Sequence, residues 1–148
     1  MTEPLAMEVR LPLAFEAAIE ATRAALKTEG FGILTEIDLR AAFKEKLGRE
    51  FRPYTILGAC NPPLAFAALT ADPAIGLLLP CNVVVDGVSE GESLVRLTDP
   101  AALLAAAPAG MTAALRPVAT DARQRMERVA RALGAVSESP PQHRKRED

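Results

Sequence analysis

The sequence predicts an α+β fold, a mainly antiparallel sheet covered by two longer amphipathic helices. Three observations carry that prediction. Segments with helical apolar spacing stand towards the two ends of the chain, over 13–29 and 118–133. Strand-like runs lie between them and include one hairpin, with no strict strand-helix-strand repeat of the kind a parallel doubly wound sheet requires. The 148 residues, 49% of them hydrophobic, suffice for one domain with its own core, placed at 1–136.

Met7 to Leu11 alternates enough for a first strand, after which Pro12 stands where a helix can begin. Phe15, Ala18, Ile19, Thr22, Ala25 and Leu26 then follow at helical spacing, and Gly30 supplies a stop, since the residue just past a helix often needs positive φ. Phe31 to Ile37 reads as a second strand. Asp38 can cap a short helix through Leu47, ended by Gly48.

Tyr54 to Cys60 reads as a largely buried third strand. Asn61-Pro62-Pro63 then opens a helix to about Thr70, with asparagine as cap and proline tolerated where an N–H would have no intrahelical partner. Asp72-Pro73 breaks it. Ile75 to Leu79 and Cys81 to Val85 are two short apolar runs pivoting at Pro80, which argues for a bend or an edge position rather than a central strand. Asp86-Gly87 is read as the start of a turn leading to a strand over Ser93 to Leu97, the clearest hairpin in the chain.

Asp99-Pro100 opens a short Ala/Leu helix, stopped by Pro108-Ala109-Gly110. From Val118 the spacing of Ala122, Met126, Val129, Ala130 and Leu133 predicts the final helix, capped by Thr120 or Asp121 and ended by Gly134. Residues 137–148 are polar and are expected to form a disordered tail.

Composition excludes several functions. Aromatic residues make up 4%, with no Trp and a single Tyr, so binding by aromatic stacking is not expected. Seventeen basic against nineteen acidic residues leave a net charge of −2, which removes the broad attraction that drives nucleic-acid binding. The one basic cluster, Arg144-Lys145-Arg146, is followed at once by Glu147 and Asp148. No apolar stretch reaches the ~20 residues of a membrane span, and Glu3 and Glu8 precede any apolar run, unlike a secretory signal. A cytoplasmic protein with free thiols at Cys60 and Cys81 is therefore expected, with neither nucleic acid nor membrane as partner.

The chemistry is narrowed further by a single histidine, His143, in the expected tail. Ser-His-Asp and Cys-His machinery is thereby absent in its usual form. Two thiols cannot supply the four ligands of a structural zinc site, and neither phosphate-binding glycine loop occurs, so no metal and no cofactor is expected. Glu36 and Asp38 read as a cap with a solvated neighbour.

What remains is a repeated microsequence, Ala59-Cys60-Asn61-Pro62 at a strand-to-helix junction and Leu79-Pro80-Cys81-Asn82 at a bend. Gly58 beside the first lets the backbone be approached closely. Together with Gly30-Phe31 and the run Tyr54 to Pro62, these segments resemble, in their ordered succession, the domain of unknown function 302 family over about Met7 to Leu133. The resemblance implies a compact α+β fold of the TATA-binding-protein-like kind that tends to form homodimers, and it implies no activity.

The candidate site residues are Cys60, Asn61, Cys81 and Asn82, with Tyr54 and Arg52 added for their nearness in sequence. The favoured reading is a homodimeric module that binds a small ligand or partner in a groove floored by the Cys-Asn segments. The alternatives are sulfur-transfer or redox chemistry at Cys60 with Cys81, and thiolate metal binding between two subunits. A helix N-terminus favours thiolate at Cys60, whereas burial raises the pKa of Cys81.

Overall fold

Five strands, β1 (Ala6–Leu11), β2 (Gly32–Asp38), β3 (Tyr54–Cys60), β4 (Cys81–Ser89) and β5 (Glu92–Thr98), pair antiparallel in the order β1-β5-β4-β3-β2 in the computed structural model, which describes residues 6–138. Around them run α1 (Phe15–Thr28), α2 (Leu39–Leu47), α3 (Pro62–Ala71), a short 3-10 segment (Pro73–Leu78), α4 (Pro100–Ala105) and α5 (Ala109–Glu138). The chain is α+β with an antiparallel sheet, as its apolar patterning predicts.

One sheet face carries Leu57, Ala59, Val83, Val85, Val95 and Leu97, and the apolar stripes of α1 and α5 cover it. Ala18, Ile19 and Leu26 come from α1, Met126, Val129 and Leu133 from α5, and all are buried. Each Leu or Val fully buried here contributes about 1.5–3 kcal/mol of apolar transfer. A smaller cluster of Ala68, Ile75, Leu104 and Leu115 joins α3, the 3-10 segment, α4 and the first turns of α5 at one end of the sheet.

The end of α1 is fixed by backbone geometry. Gly30 adopts φ +79°, its N–H donates to the Lys27 carbonyl at 3.1 Å, and the Phe31 N–H donates to the Leu26 carbonyl at 3.1 Å. Asp38 accepts from the Ala41 N–H at 2.9 Å and Gly48 ends α2 in the left-handed region, both as expected.

Three expectations need correction. Pro80 does stand at a bend but not at an edge: β4 is the middle strand, and the proline immediately precedes its first residue, where no ladder hydrogen bond is lost. Asp86-Gly87 is not the hairpin turn, because β4 continues through an irregularity to Ser89 and pairs there with Glu92. Gly87 instead meets the chain before β3, donating its N–H to the Pro53 carbonyl at 2.8 Å, and a Cβ there would lie 3.1 Å from Pro53 Cβ. The last helix begins at Ala109 rather than Val118 and passes Pro117 and Gly134 without ending. Met111, Leu115 and Val118 pack in the smaller cluster, so tertiary contacts hold the early turns despite the proline. Ser137 and Glu138 continue this helix, and the rest of the expected tail lies outside the described residues.

No helix among the described residues is long and apolar enough to cross a membrane.

Candidate functional site

Where the larger core meets the smaller cluster, the packing leaves a cavity of roughly 350 Å3, at the small end of ligand-site sizes. Its sheet-side wall is Phe31, Ala59, Cys60 and Cys81, and its helical wall includes Ala68, Ile75, Leu104 and Leu115. Leu34 and Leu69, both exposed, also border it. Among the described residues no charged side chain and no hydroxyl side chain lines it.

Both cysteines reach this cavity because two strand ends coincide. Cys60 is the last residue of β3, Cys81 the first of β4, and the register places Ala59 opposite Cys81. They are free, partly buried thiols. Burial pushes the Cys81 thiol up to about 11, with a smaller push from neighbouring Cys60, so Cys81 stays protonated at neutral pH. That is the direction expected from its position in an apolar strand.

Asn61 borders the same cavity, and each polar end of its side chain already has a partner within the protein. Its Oδ1 accepts from the Leu64 N–H at 3.3 Å as the cap of α3, and its Nδ2 donates to the Glu29 carbonyl at 3.2 Å. Arg125 donates to that same carbonyl at 3.0 Å, and Arg128 pairs with the Glu29 carboxylate. Asn61 thus ties together the end of α1, the start of α3 and, through Glu29, α5. A Cβ on Gly30 would lie 3.0 Å from Asn61 Nδ2, so the glycine serves this junction by space as well as by φ.

The other three candidates lie elsewhere. Asn82 is exposed and faces a second cleft, which shares Leu78, Leu79, Pro80 and Leu103 with the cavity and also touches Arg96 and Thr98. Arg52 and Tyr54 are at the opposite end of β3, about 20 Å along an extended strand of that length. There Asp86, whose side chain is 0% exposed, accepts from Arg52 Nε at 2.6 Å, from Arg52 Nη2 at 3.1 Å and from Arg96 Nη1 at 3.0 Å. Burial alone would raise the Asp86 pKa, but the hydrogen bonds and charges of Arg52 and Arg96 together outweigh it and hold the carboxyl below its ordinary value. Arg52 is raised by the same hydrogen bond. Phe51 lies under the Arg52 guanidinium at 4.8 Å and meets the rings of Phe43 and Tyr54 edge-on. Asp86 thus holds two guanidinium groups together from beneath.

Glu36 pairs with Arg23, and Asp38 caps α2, so each carboxylate has a structural partner. Among the described residues no three His, Cys, Asp or Glu side chains are grouped to hold a metal ion.

Sequence reasoning found the two cysteines and the asparagine but missed most of the cavity wall. One signal was available: α3 has a single polar residue, Thr70, among ten, so it has no water-facing side of its own. Phe66 and Leu69 are accordingly exposed.

None of the curated proteins matches the chain at a significant level. The structure of an uncharacterised conserved DUF302 protein from Bacillus stearothermophilus is similar, with a TM-score of 0.76 and 28% sequence identity over 88% of this chain and 99% of that one. Residues 7–133 match the family described as "Domain of unknown function DUF302", and the chain belongs to that family.

Proposed function

We propose that the protein is a homodimeric, cytoplasmic binding module that takes a small ligand in the cavity between Cys60 and Cys81, and that it acts without nucleic acid or membrane as partner. The cavity itself carries the reading: it is large enough for a small molecule, mostly apolar, and bordered by both cysteine segments. In the alternative of sulfur-transfer or redox chemistry at Cys60 with Cys81, the raised pKa of Cys81 leaves Cys60 as the attacking thiol, since the thiolate is the nucleophile. With Cys81 held protonated by burial, Cys60 is the thiol that a reagent should find first.

Labelling with iodoacetamide at pH 7.5 followed by intact-mass and peptide analysis tests the site. Cys60 should react faster than Cys81, and an apolar probe bound in the cavity should slow it severalfold. Preferential labelling of Cys81, or labelling of Cys60 indifferent to a bound probe, counts against the assignment.

Support for the dimer comes from β2, an edge strand with six of its seven residues exposed, among them Leu34 at 68% and Ile37 at 47%. Such an edge presents unpaired backbone groups that a second copy can cover. Light scattering at micromolar concentration should give twice the chain mass of 15.7 kDa, and a value near 15.7 kDa refutes the dimer.

A further inference from the structure

We infer that the ligand of the cavity is an uncharged, hydrocarbon-rich small molecule, selected over anionic amphiphiles because the helix N-termini and the asparagine bordering the cavity are already bonded within the protein. The inference rests on reading the cavity as a ligand site, and it names the class of ligand.

Helix N-termini are the usual source of donors for a carboxylate or phosphate. Two of them border this cavity, and both are closed. At the start of α3, Pro62 and Pro63 have no N–H to offer, the Leu64 N–H is taken by Asn61 Oδ1 and the Ala65 N–H by the Asn61 carbonyl at 2.9 Å. At the start of α4, Pro100 has no N–H, those of Ala101 and Ala102 go to Asp99 Oδ1 at 3.0 and 3.3 Å, and that of Leu103 goes to the Asp99 carbonyl at 3.0 Å.

The side chains give the same answer. Each polar end of Asn61 is held by one bond, to Leu64 and to Glu29, which leaves a single amide N–H as the strongest side-chain donor of the wall, and the remaining polar side chains are two thiols, which are weak donors. An ionised head brought inside would lose its water and gain no charged partner, whereas an apolar body loses nothing by burial. Residues 139–148 contain no aliphatic side chain beyond proline and so offer no filler of matching chemistry.

The test uses two pairs of matched probes on the full-length chain. N-phenyl-1-naphthylamine is neutral, and 1-anilinonaphthalene-8-sulfonate adds a sulfonate to the same ring system. Decanol and decanoate at pH 8 differ in the same sense and act as competitors below their aggregation limits.

The neutral dye should bind at one per chain. Decanol should displace it at a concentration at least about tenfold below that needed for decanoate, because only the latter must be desolvated as a charge. Filling the cavity by Ala119→Phe should weaken the dye, and the milder Ala68→Leu should do so to a lesser degree, with circular dichroism confirming that each variant is folded. Equal displacement by decanoate, or tighter binding of the sulfonate dye, overturns the ligand class while leaving the site in place. Absence of binding by all four molecules, or dye binding unaffected by both filling variants, overturns the site and the ligand class together.

Discussion

Replacing Gly58 by alanine is expected to lower the melting temperature by about 5–10 °C, the consequence of roughly 1–3 kcal/mol of overpacking in a domain of this size. The residue lies in the middle of β3, and its backbone conformation is one any residue can adopt; what it lacks is room. A Cβ built there would stand 2.1 Å from Thr35 Oγ1 and 2.9 Å from Pro80 Cγ. Thr35 is on the exposed edge strand and its hydroxyl can rotate away, but the Pro80 ring is held by its own backbone. The double variant Gly58→Ala with Thr35→Ala should therefore recover only part of the loss, because the contact with Pro80 remains. Pro80 also borders the cavity, so Gly58→Ala should weaken the neutral dye even at temperatures where the protein is folded. A Gly58→Ala protein that melts with the parent would show that the strands separate freely here.

Gly58 also illustrates what a sequence discloses and what it withholds. A glycine in a strand next to a cysteine points to close approach, yet Thr35 and Pro80 stand 23 and 22 residues away, and nothing local announces which of them arrives. Elements whose signal is local were read with good boundaries. The stripe from Phe15 to Leu26, the Asp38 and Gly48 caps of α2, and the Asn61-Pro62-Pro63 start of α3 all encode their own geometry within one or two turns.

The misread elements are those in which a distant contact overrides the local rule. Pro117 is a helix breaker by propensity, but packing of Met111, Leu115 and Val118 carries α5 through it. Gly87 has the composition of a turn, but the chain at Pro53 holds it in a strand. The cavity is a third case. Cys60 and Cys81 could be singled out because their microsequences repeat, whereas Ala68, Ile75 and Leu115 are ordinary apolar residues until α3, the 3-10 segment and α5 bring them together. Arg52 and Tyr54 were drawn towards the cysteines by sequence nearness, and the length of β3 separates them.

Asp86→Asn is expected to cost about 3 kcal/mol at pH 7, the lower end of what removing one partner from a buried ion pair costs, since both arginines are partly exposed and regain some water. Asparagine keeps the size of the side chain but replaces a carboxylate that accepts from two guanidinium groups with a neutral amide whose NH2 end repels one of them. Arg52 and Arg96 are then left facing each other, with Glu8 at 3.4 Å from Arg96 as the nearest relief.

The pH dependence gives the sign. The folded-state pKa of Asp86 lies below its ordinary value, so the stabilisation is fully present above the unfolded-state pKa of about 3.9 and disappears as pH falls through the folded value. Urea unfolding of the parent and the Asn variant should accordingly show a wide gap in midpoint at pH 7, the same gap at pH 5, and a progressively smaller one below pH 4. Equal midpoints at pH 7 would mean that the arginines solvate without loss. A gap that persists unchanged at pH 2 would mean that shape, and not charge, is what Asp86 supplies beneath Arg52 and Arg96.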